Sequence, residues 1–89
     1  MTVEFDKSFL KSIKTIDNQI ILNRLGKIIL RVEKASSLSE LKNIRKLSGF
    51  ESYYRIRMGD YRIGFELLSG NIIRFIIVAH RKDIYRDFP

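Results

Sequence analysis

The chain has 89 residues, of which 45% are hydrophobic. This is enough for one small packed domain, residues 1–89, and leaves little room for a second domain or an enclosed cofactor cavity. Its 17 Lys and Arg outnumber 10 Asp and Glu, for a formal net charge of +7. Such a surplus points to an anionic partner: nucleic acid, an anionic membrane or an acidic protein. The alternative is a basic protein with no polyanionic ligand.

The absence of cysteine excludes disulfides and thiolate zinc sites. A single histidine and few clustered carboxylates argue against a protein metal site. No apolar run approaches the roughly 20 residues that span a bilayer, and residues 1–9 lack the basic start and apolar run of a signal peptide. We therefore expect a cytoplasmic protein with no membrane partner, metal or cofactor.

The first third of the chain predicts a short strand followed by two helices. Apolar and polar residues alternate over residues 2–5, as in a strand. Asp6 can cap a helix whose apolar residues follow at helical spacing, namely Phe9, Leu10, Ile13 and Ile16. Asp17 or Asn18 can cap a second helix. Its apolar stripe is Ile21, Leu25, Ile28, Ile29 and Val32, with Lys27, Arg31 and Lys34 lying off that stripe.

The middle of the chain contains one linker-like piece, residues 35–40, which is too short to separate domains. The basic segment after it predicts a short strand at residues 44–47. Beyond that, Gly59-Asp60 separates two strand-like runs, YYRIRM and YRIGFELL. A glycine at the first position of a two-residue loop favours a type II′ turn. The sequence therefore predicts a tight hairpin at this point.

With Gly59 and Asp60 as the loop, the register of this hairpin is fixed. Arg57 then faces Arg62, and successive side chains alternate between the two faces of the sheet. One face is apolar and suited to packing against the helices, and it consists of Tyr54, Ile56, Met58, Tyr61, Ile63 and Phe65. The opposite face carries Arg55, Arg57, Arg62, Gly64 and Glu66.

A second turn falls at Ser69-Gly70-Asn71. Either two-residue loop within this tripeptide places the same residues on the face of Arg57 and Arg62, namely Ile73, Phe75, Ile77 and Ala79. The run IIRFIIVA is apolar on both sides, as expected for a central strand.

Arg57, Arg62 and Arg81 are therefore expected on one face, with Arg55 one pleat away. Guanidinium groups offer planar, paired donors that match phosphate oxygens. Three of them around one phosphodiester could also stabilise the extra charge of a pentacoordinate transition state. Because like charges that face each other across strands destabilise a sheet, we favour this interpretation over a solvated polar face, which is the alternative.

Two side chains near the end of the last strand are candidates for proton transfer. His80 is the first, because histidine is the commonest general acid or base in proteins. Tyr85 can serve if neighbouring cations lower its pKa. Taken alone, a single histidine is more often structural, and a tyrosine more often packs.

The pattern YRIRMGDYRIGFE followed by VAHRKDIYR resembles the RelE/ParE superfamily of bacterial toxin–antitoxin toxins. More narrowly, it is similar to the RelE-type ribosome-dependent messenger-RNA endonucleases, and the resemblance covers nearly the whole chain. It implies an α+β fold in which a short N-terminal strand and a two-helix hairpin precede three to four mostly antiparallel strands. The helices would pack on one face of the sheet.

The resemblance also implies roles for individual residues. Arg81 matches a catalytic arginine, Arg62 a phosphate-binding arginine, and Tyr85 a tyrosine that orients or activates the attacking nucleotide. The implied catalytic set is Arg57, Arg62, His80, Arg81 and Tyr85. The implied phosphate- and RNA-binding set is Lys42, Arg45, Lys46 and Arg55.

Two departures from the family pattern stand out. Many relatives carry Lys where this chain has Arg55 and Arg57, and arginine is a poor general base because it stays protonated. Some relatives instead use an upstream carboxylate, for which Glu40 is the loose match as acid or base. The chain also ends at Pro89, which leaves no C-terminal helix like the one that some members carry.

The activity implied by the resemblance is metal-independent cleavage of messenger RNA in the ribosomal decoding site, by attack of a ribose 2′-OH on the adjacent phosphate. The implied partners are the ribosome, messenger RNA and a small acidic antitoxin, with operator DNA bound only through the antitoxin complex. A ParE-like toxin that inhibits DNA gyrase is the first alternative. A catalytically silent member that only binds an antitoxin is the second.

Overall fold

The computed structural model describes the whole chain, Met1–Pro89. Its elements in chain order are β1 (Thr2–Phe5), α1 (Lys7–Ile13), α2 (Gln19–Lys34), β2 (Ile44–Lys46), β3 (Tyr53–Met58), β4 (Tyr61–Leu68), β5 (Ile72–His80) and α3 (Ile84–Asp87), with a short 3₁₀ turn at Leu38–Glu40. None of the three helices combines the length and the apolar composition needed to cross a bilayer. The predicted α+β class is confirmed.

Both long helices begin at side-chain caps. The Asp6 carboxylate accepts a hydrogen bond from the Ser8 backbone N–H at 3.1 Å. Of the two candidate caps for α2, Asn18 is the one used, because its Oδ1 accepts from the N–H groups of Ile20 and Ile21 at 2.9 and 3.3 Å. These bonds satisfy backbone donors that have no partner within the first helical turn.

The five strands form one mixed sheet in the order β1-β5-β4-β3-β2. Strand β1 runs parallel to β5, and the other neighbours are antiparallel. The helices α1 and α2 cover one face, and eleven buried side chains form the core between them and the sheet: Phe9, Ile16, Leu25, Val32, Ile56, Met58, Ile63, Phe65, Ile73, Phe75 and Val78. The opposite face of the sheet is therefore not covered by α1 and α2.

The register of the β3–β4 hairpin is the predicted one, with Arg57 opposite Arg62 and Met58 opposite Tyr61. Gly59 has φ +60° and Asp60 does not enter the positive-φ region, which is the backbone signature of a type II′ turn. The predicted strand at residues 44–47 is also present, as β2, and it pairs with β3.

The prediction for the second hairpin was wrong at Ile73 and Phe75. The β4–β5 loop has three residues, since Leu68 pairs with Ile72, and this reverses the predicted parity. Both side chains therefore point to the helices and are fully buried in the core. A bulge at Ile76 then restores the predicted parity, because Gly64 pairs with Ile77 while Phe65 pairs with Phe75.

The C-terminal segment packs at the face of the sheet that α1 and α2 leave open. A C-terminal helix like the one of some relatives was not expected, and the segment forms only a single helical turn of four residues, α3. Its Ile84 is fully buried and Phe88, just beyond it, is buried as well, both outside the main core. A helix too short to be stable alone is thus held by these two apolar side chains.

Candidate active site

A hollow of about 350 Å³ lies beside the open face of the sheet, and we refer to it as the arginine hollow. It is lined by Asn43, Ile44, Arg45, Arg55, Arg57, Arg62 and Tyr85. Its cations come from two cross-strand pairs, in which Arg45 faces Arg55 and Arg57 faces Arg62. No carboxylate lines it, so four guanidinium groups share one cavity without a neutralising charge.

Arg57 is oriented from the loop that precedes β2. Its backbone N–H donates to the Asn43 carbonyl at 2.9 Å, and its Nη2 donates to Asn43 Oδ1 at 3.4 Å. Asn43 has φ 60°, a left-handed conformation that asparagine tolerates better than most residues. The Arg57 side chain is otherwise exposed and keeps most of its five N–H donors for a ligand.

Arg62 is held by the hairpin turn. Its Nη1 donates to the carbonyls of Gly59 and Tyr61 at 2.8 and 2.9 Å. Only one of its terminal nitrogens makes these bonds, so the others remain for an anion. The type II′ turn predicted from Gly59 thus also fixes a cation of the hollow.

Tyr85 closes one side of the arginine hollow. The Arg55 guanidinium carbon lies 4.7 Å from the centre of its ring, a cation–π contact. Arg55 lowers the pKa of Tyr85, first through hydrogen bonding and then through its charge; desolvation opposes this shift, and Arg62 and Arg45 add to it. Tyr85 therefore loses its proton more readily than an ordinary tyrosine.

Arg81 and His80 do not line the hollow. Strand β5 ends at His80, and Arg81 turns back toward the hairpin, where its N–H donates to the Asp60 carbonyl at 2.7 Å and its Nε lies 3.9 Å from Asp60 Oδ1. His80 is opposite Tyr61, on the helix side of the sheet, with the two rings 5.7 Å apart. Its Nδ1 accepts from the Lys82 N–H at 3.2 Å.

Glu40 and Lys42 lie in a neighbouring groove of about 460 Å³, between α2 and the sheet, whose wall also includes Asn43 and Arg57. Glu40 Oε2 accepts a hydrogen bond from the Ser36 N–H at 2.7 Å. Lys46 lines neither cavity, whereas Arg45 lies in the hollow. The structure thus brings together Arg45, Arg55, Arg57, Arg62 and Tyr85. It places the other predicted site residues outside the hollow, namely Glu40, Lys42, Lys46, His80 and Arg81.

Two features were not predicted from the sequence: the role of Asn43, and a continuous row of cations in which Arg24 joins the three already placed off the apolar stripe of α2. Asn43 orients Arg57. The one available signal was an asparagine in a loop, since asparagine tolerates a left-handed backbone conformation better than most residues. The exposed face of α2 carries four cations at positions i, i+3, i+7 and i+10, Arg24, Lys27, Arg31 and Lys34, and none of them forms an ion pair. Helical spacing could have revealed this stripe. No three metal-ligating side chains are grouped closely enough to hold a metal ion.

A family model described as the ParE toxin of the type II toxin–antitoxin system parDE matches residues 3–85. The chain belongs to the RelE/ParE superfamily of toxins. Within that superfamily its full-length similarity is to RelE-type toxins: Toxin RelE3 of Methanocaldococcus jannaschii is 44% identical over 90 residues, with 100% of both chains covered. The family membership inferred from the hairpin motif is thereby confirmed.

Solved structures support the RelE/ParE fold. The RelB-RelE antitoxin–toxin complex from Methanococcus jannaschii matches with a TM-score of 0.79 and 42% identity, over 97% of this chain and 99% of that one. The archaeal RelE-RelB complex from Pyrococcus horikoshii OT3 matches with a TM-score of 0.72 and 22% identity, over 90% and 93% of the two chains. At that lower identity the likeness concerns the fold alone.

Proposed function

We propose that this chain is the toxin of a type II toxin–antitoxin system and that it acts as a ribosome-dependent endoribonuclease, cleaving messenger RNA in the decoding site. The observation that carries the proposal is the arginine hollow itself, with four guanidinium groups and a tyrosine of lowered pKa around one cavity. Such a site matches a phosphodiester flanked by a ribose hydroxyl. The similarity to Toxin RelE3 agrees with it.

The proposed reaction is attack of a ribose 2′-OH on the adjacent phosphate. The 2′-oxygen forms a bond to phosphorus, the 5′-oxygen of the next nucleotide leaves, and the products are a cyclic phosphate and a free 5′-OH end. Arg57 and Arg62 would neutralise the charge that builds up on the phosphate oxygens. Tyr85 would orient the nucleophile and take its proton, and a second group would protonate the leaving oxygen.

Arg81 can join this site when RNA binds. Its present partner is Asp60, at 3.9 Å, and both side chains are largely exposed. An exposed ion pair of this kind contributes at most about 1 kcal/mol, so a phosphate can displace the carboxylate. The remaining candidates for donating a proton to the leaving oxygen are Glu40, in the groove that adjoins the hollow, and His80, which would have to turn from the helix side of the sheet at the end of β5.

The test is cleavage of ribosome-bound message in a translation assay. We expect Tyr85→Phe, Arg57→Gln and Arg81→Ala each to slow cleavage by roughly 100-fold, the usual effect of removing a proton-transfer group or a charge-stabilising donor. Arg74→Gln is the matched control, because Arg74 is on the same sheet face but pairs with Glu4 at 3.5 Å. Parent-like cleavage by the site variants would overturn the site assignment, and no cleavage by the parent would overturn the nuclease assignment.

The proposed partner is a small acidic antitoxin. Two structures of similar fold are RelB-RelE antitoxin–toxin complexes, and a net charge of +7 suits an acidic chain that folds as it binds. Operator DNA would be bound only through that complex. Co-expression with a candidate acidic antitoxin, followed by co-purification, tests this pairing directly.

A second candidate function is inhibition of DNA gyrase without RNA cleavage. The family model that matches residues 3–85 is the one described for ParE, and this is the observation that favours it. A supercoiling assay separates the two, because a gyrase inhibitor blocks supercoiling and leaves message intact. A member that only binds an antitoxin would be inactive in both assays.

A further inference from the structure

The position of Tyr85 depends on a helix that cannot fold alone. The helix α3 has four residues, and a single turn has no stability of its own because nucleation costs more than its one or two hydrogen bonds return. Within this turn Tyr85 is 76% exposed, whereas Ile84 is fully buried and Phe88, one turn after Tyr85, is 4% exposed. The buried side chains, and not the helix, therefore decide where Tyr85 stands.

The seat of the Phe88 ring is Gly64, in the middle of β4. A Cβ placed on Gly64 would lie 2.8 Å from Cγ and Cδ2 of Phe88, closer than real side-chain contacts allow. Gly64 does not have a positive φ, so the backbone conformation does not require glycine there, and glycine in a strand interior normally weakens it. The glycine is explained by the ring that rests on it.

This seat lies directly beside the arginine hollow. Gly64 is the cross-strand partner of Arg55, and the guanidinium of Arg55 lies under the ring of Tyr85. Tyr53 supports Phe88 from the other side, edge to face, with ring centres 5.6 Å apart. Two aromatic rings three residues apart thus sit over one cross-strand pair, Phe88 on the glycine and Tyr85 on the arginine.

We propose that Phe88, seated on Gly64, is a positioning residue that holds Tyr85 over Arg55 and so completes the arginine hollow. Phe88 does not itself line the hollow. Its consequence for catalysis rests on the proposed function, whereas its effect on Tyr85 does not. The first test therefore uses a measurement that needs no RNA.

That measurement is an alkaline titration of the Tyr85 ring by ¹³C NMR, with Tyr85→Phe identifying the signal. Phe88→Ala should raise the pKa of Tyr85 toward its usual range, because the phenol is no longer held against the Arg55 guanidinium. Phe88→Leu, which keeps an apolar side chain on the glycine, should recover most of the parent behaviour. A parent-like titration in Phe88→Ala would overturn the proposal, and circular dichroism confirms that the main core remains folded.

The role of Gly64 is tested by a double-mutant cycle. Gly64→Ala should displace the ring and shift the Tyr85 titration as Phe88→Ala does. In the Phe88→Ala background, Gly64→Ala should add little further change, because the side chain it would strike is gone. If Gly64→Ala shifted the Tyr85 titration equally in the parent and in the Phe88→Ala background, the contact between Phe88 and Gly64 would not be the cause. Gly26→Ala, an exposed glycine with no atom near its Cβ position, is the control and should leave the titration unchanged.

Cleavage kinetics give the functional arm. Phe88→Ala should lower kcat by about 10- to 100-fold, the usual effect of misplacing a reacting group by an ångström, with little change in KM, because the ring does not line the hollow. Unchanged kcat, together with a shifted titration, would limit Phe88 to a structural role and overturn its place in catalysis. If the parent itself does not cleave ribosome-bound message, the proposed function fails, and the titration alone decides the positioning.

Discussion

Two pairs of arginines face each other across neighbouring strands, Arg45 with Arg55 and Arg57 with Arg62. Like charges in directly opposed positions destabilise a sheet by some tenths of a kcal/mol per pair. Local partners limit this repulsion: an asparagine orients Arg57, turn carbonyls hold Arg62, and the Tyr85 ring lies against Arg55. An anion in the hollow would remove the remaining repulsion, so ligand binding and local stability are linked.

At this scale we predict that Arg55→Gln raises the pKa of Tyr85. The Arg55 guanidinium stabilises the phenolate and so lowers the pKa of Tyr85. Without that charge, the pKa of Tyr85 should rise toward its ordinary value. If the phenolate takes the 2′-OH proton, the rising limb of the cleavage–pH profile will move to higher pH in the variant. Arg86→Gln is the matched control, because Arg86 adjoins Tyr85 but pairs with Asp83 and Asp87. A cleavage profile that moves to lower pH in Arg55→Gln would exclude this role for Tyr85.

Not all residues of the site were predictable. Arg57 and Arg62 followed from one glycine-containing turn, since a two-residue loop fixes the register of a hairpin. Arg81 was expected on the same face, but β5 ends at His80. Whether a strand continues past its last ladder bond depends on what the next residue contacts, here Asp60. His80 lies on the helix side of the sheet because it pairs with Tyr61, whereas Arg62 pairs with Ala79 on the open face. Side chains of adjacent strand residues point to opposite faces.

At the scale of elements, the β4–β5 hairpin shows why local patterns err. A three-residue loop and a bulge at Ile76 each shift parity by one, and the two shifts cancel in the second half of β5. The sequence signals for both are weak, because Ser-Gly-Asn contains turn residues that suit loops of either length and a bulge without glycine has no distinctive residue. The prediction was wrong for Ile73 and Phe75 and correct in parity for Ile77 and Ala79.

Helix α2 carries a glycine that its conformation does not need. Gly26 lies within the helix, and no atom is within 4 Å of its Cβ position. We expect Gly26→Ala to raise the free energy of unfolding by about 0.5–1 kcal/mol, because alanine loses less backbone freedom on folding. Urea denaturation measures this. Gly59→Ala is the contrasting variant. Because residue 59 has φ +60°, alanine there should lower the free energy of unfolding by about 1–2 kcal/mol. A less stable Gly26→Ala would contradict the prediction.

At the scale of the whole molecule, the positive charge is distributed over two surfaces. One is the arginine hollow; the other is the exposed stripe on α2, which runs for roughly 15 Å from Arg24 to Lys34 at the usual helical rise. The groove that holds Glu40 and Lys42 is bordered by Arg31 and Lys34 of this stripe and by Arg57 of the hollow. The two surfaces are therefore continuous through Arg57. Such a layout suits one phosphate in the hollow and folded RNA across the helix.

We predict that the stripe contributes to ribosome binding through phosphates. In Lys27→Gln/Arg31→Gln, the slope of log K against log salt for ribosome association should fall by roughly 0.7–0.9 per cation removed. At a saturating concentration of toxin, the rate at which ribosome-bound message is cleaved should be nearly unchanged. Lys11→Gln/Lys14→Gln, with the same change of charge on and just after α1, is the control. Equal slopes for both double variants would show that only net charge matters.

The sequence by itself determined the two capped helices, the first hairpin and the opposition of Arg57 and Arg62. Each of these depends on contacts between residues close in the chain, where spacing and a single glycine are decisive. Only the tertiary structure decided which cations share a cavity with Tyr85, because that required the C-terminal turn to pack on Gly64. A four-residue helix carries no signal strong enough to place itself; its position comes from an aromatic ring and the one strand residue without a side chain.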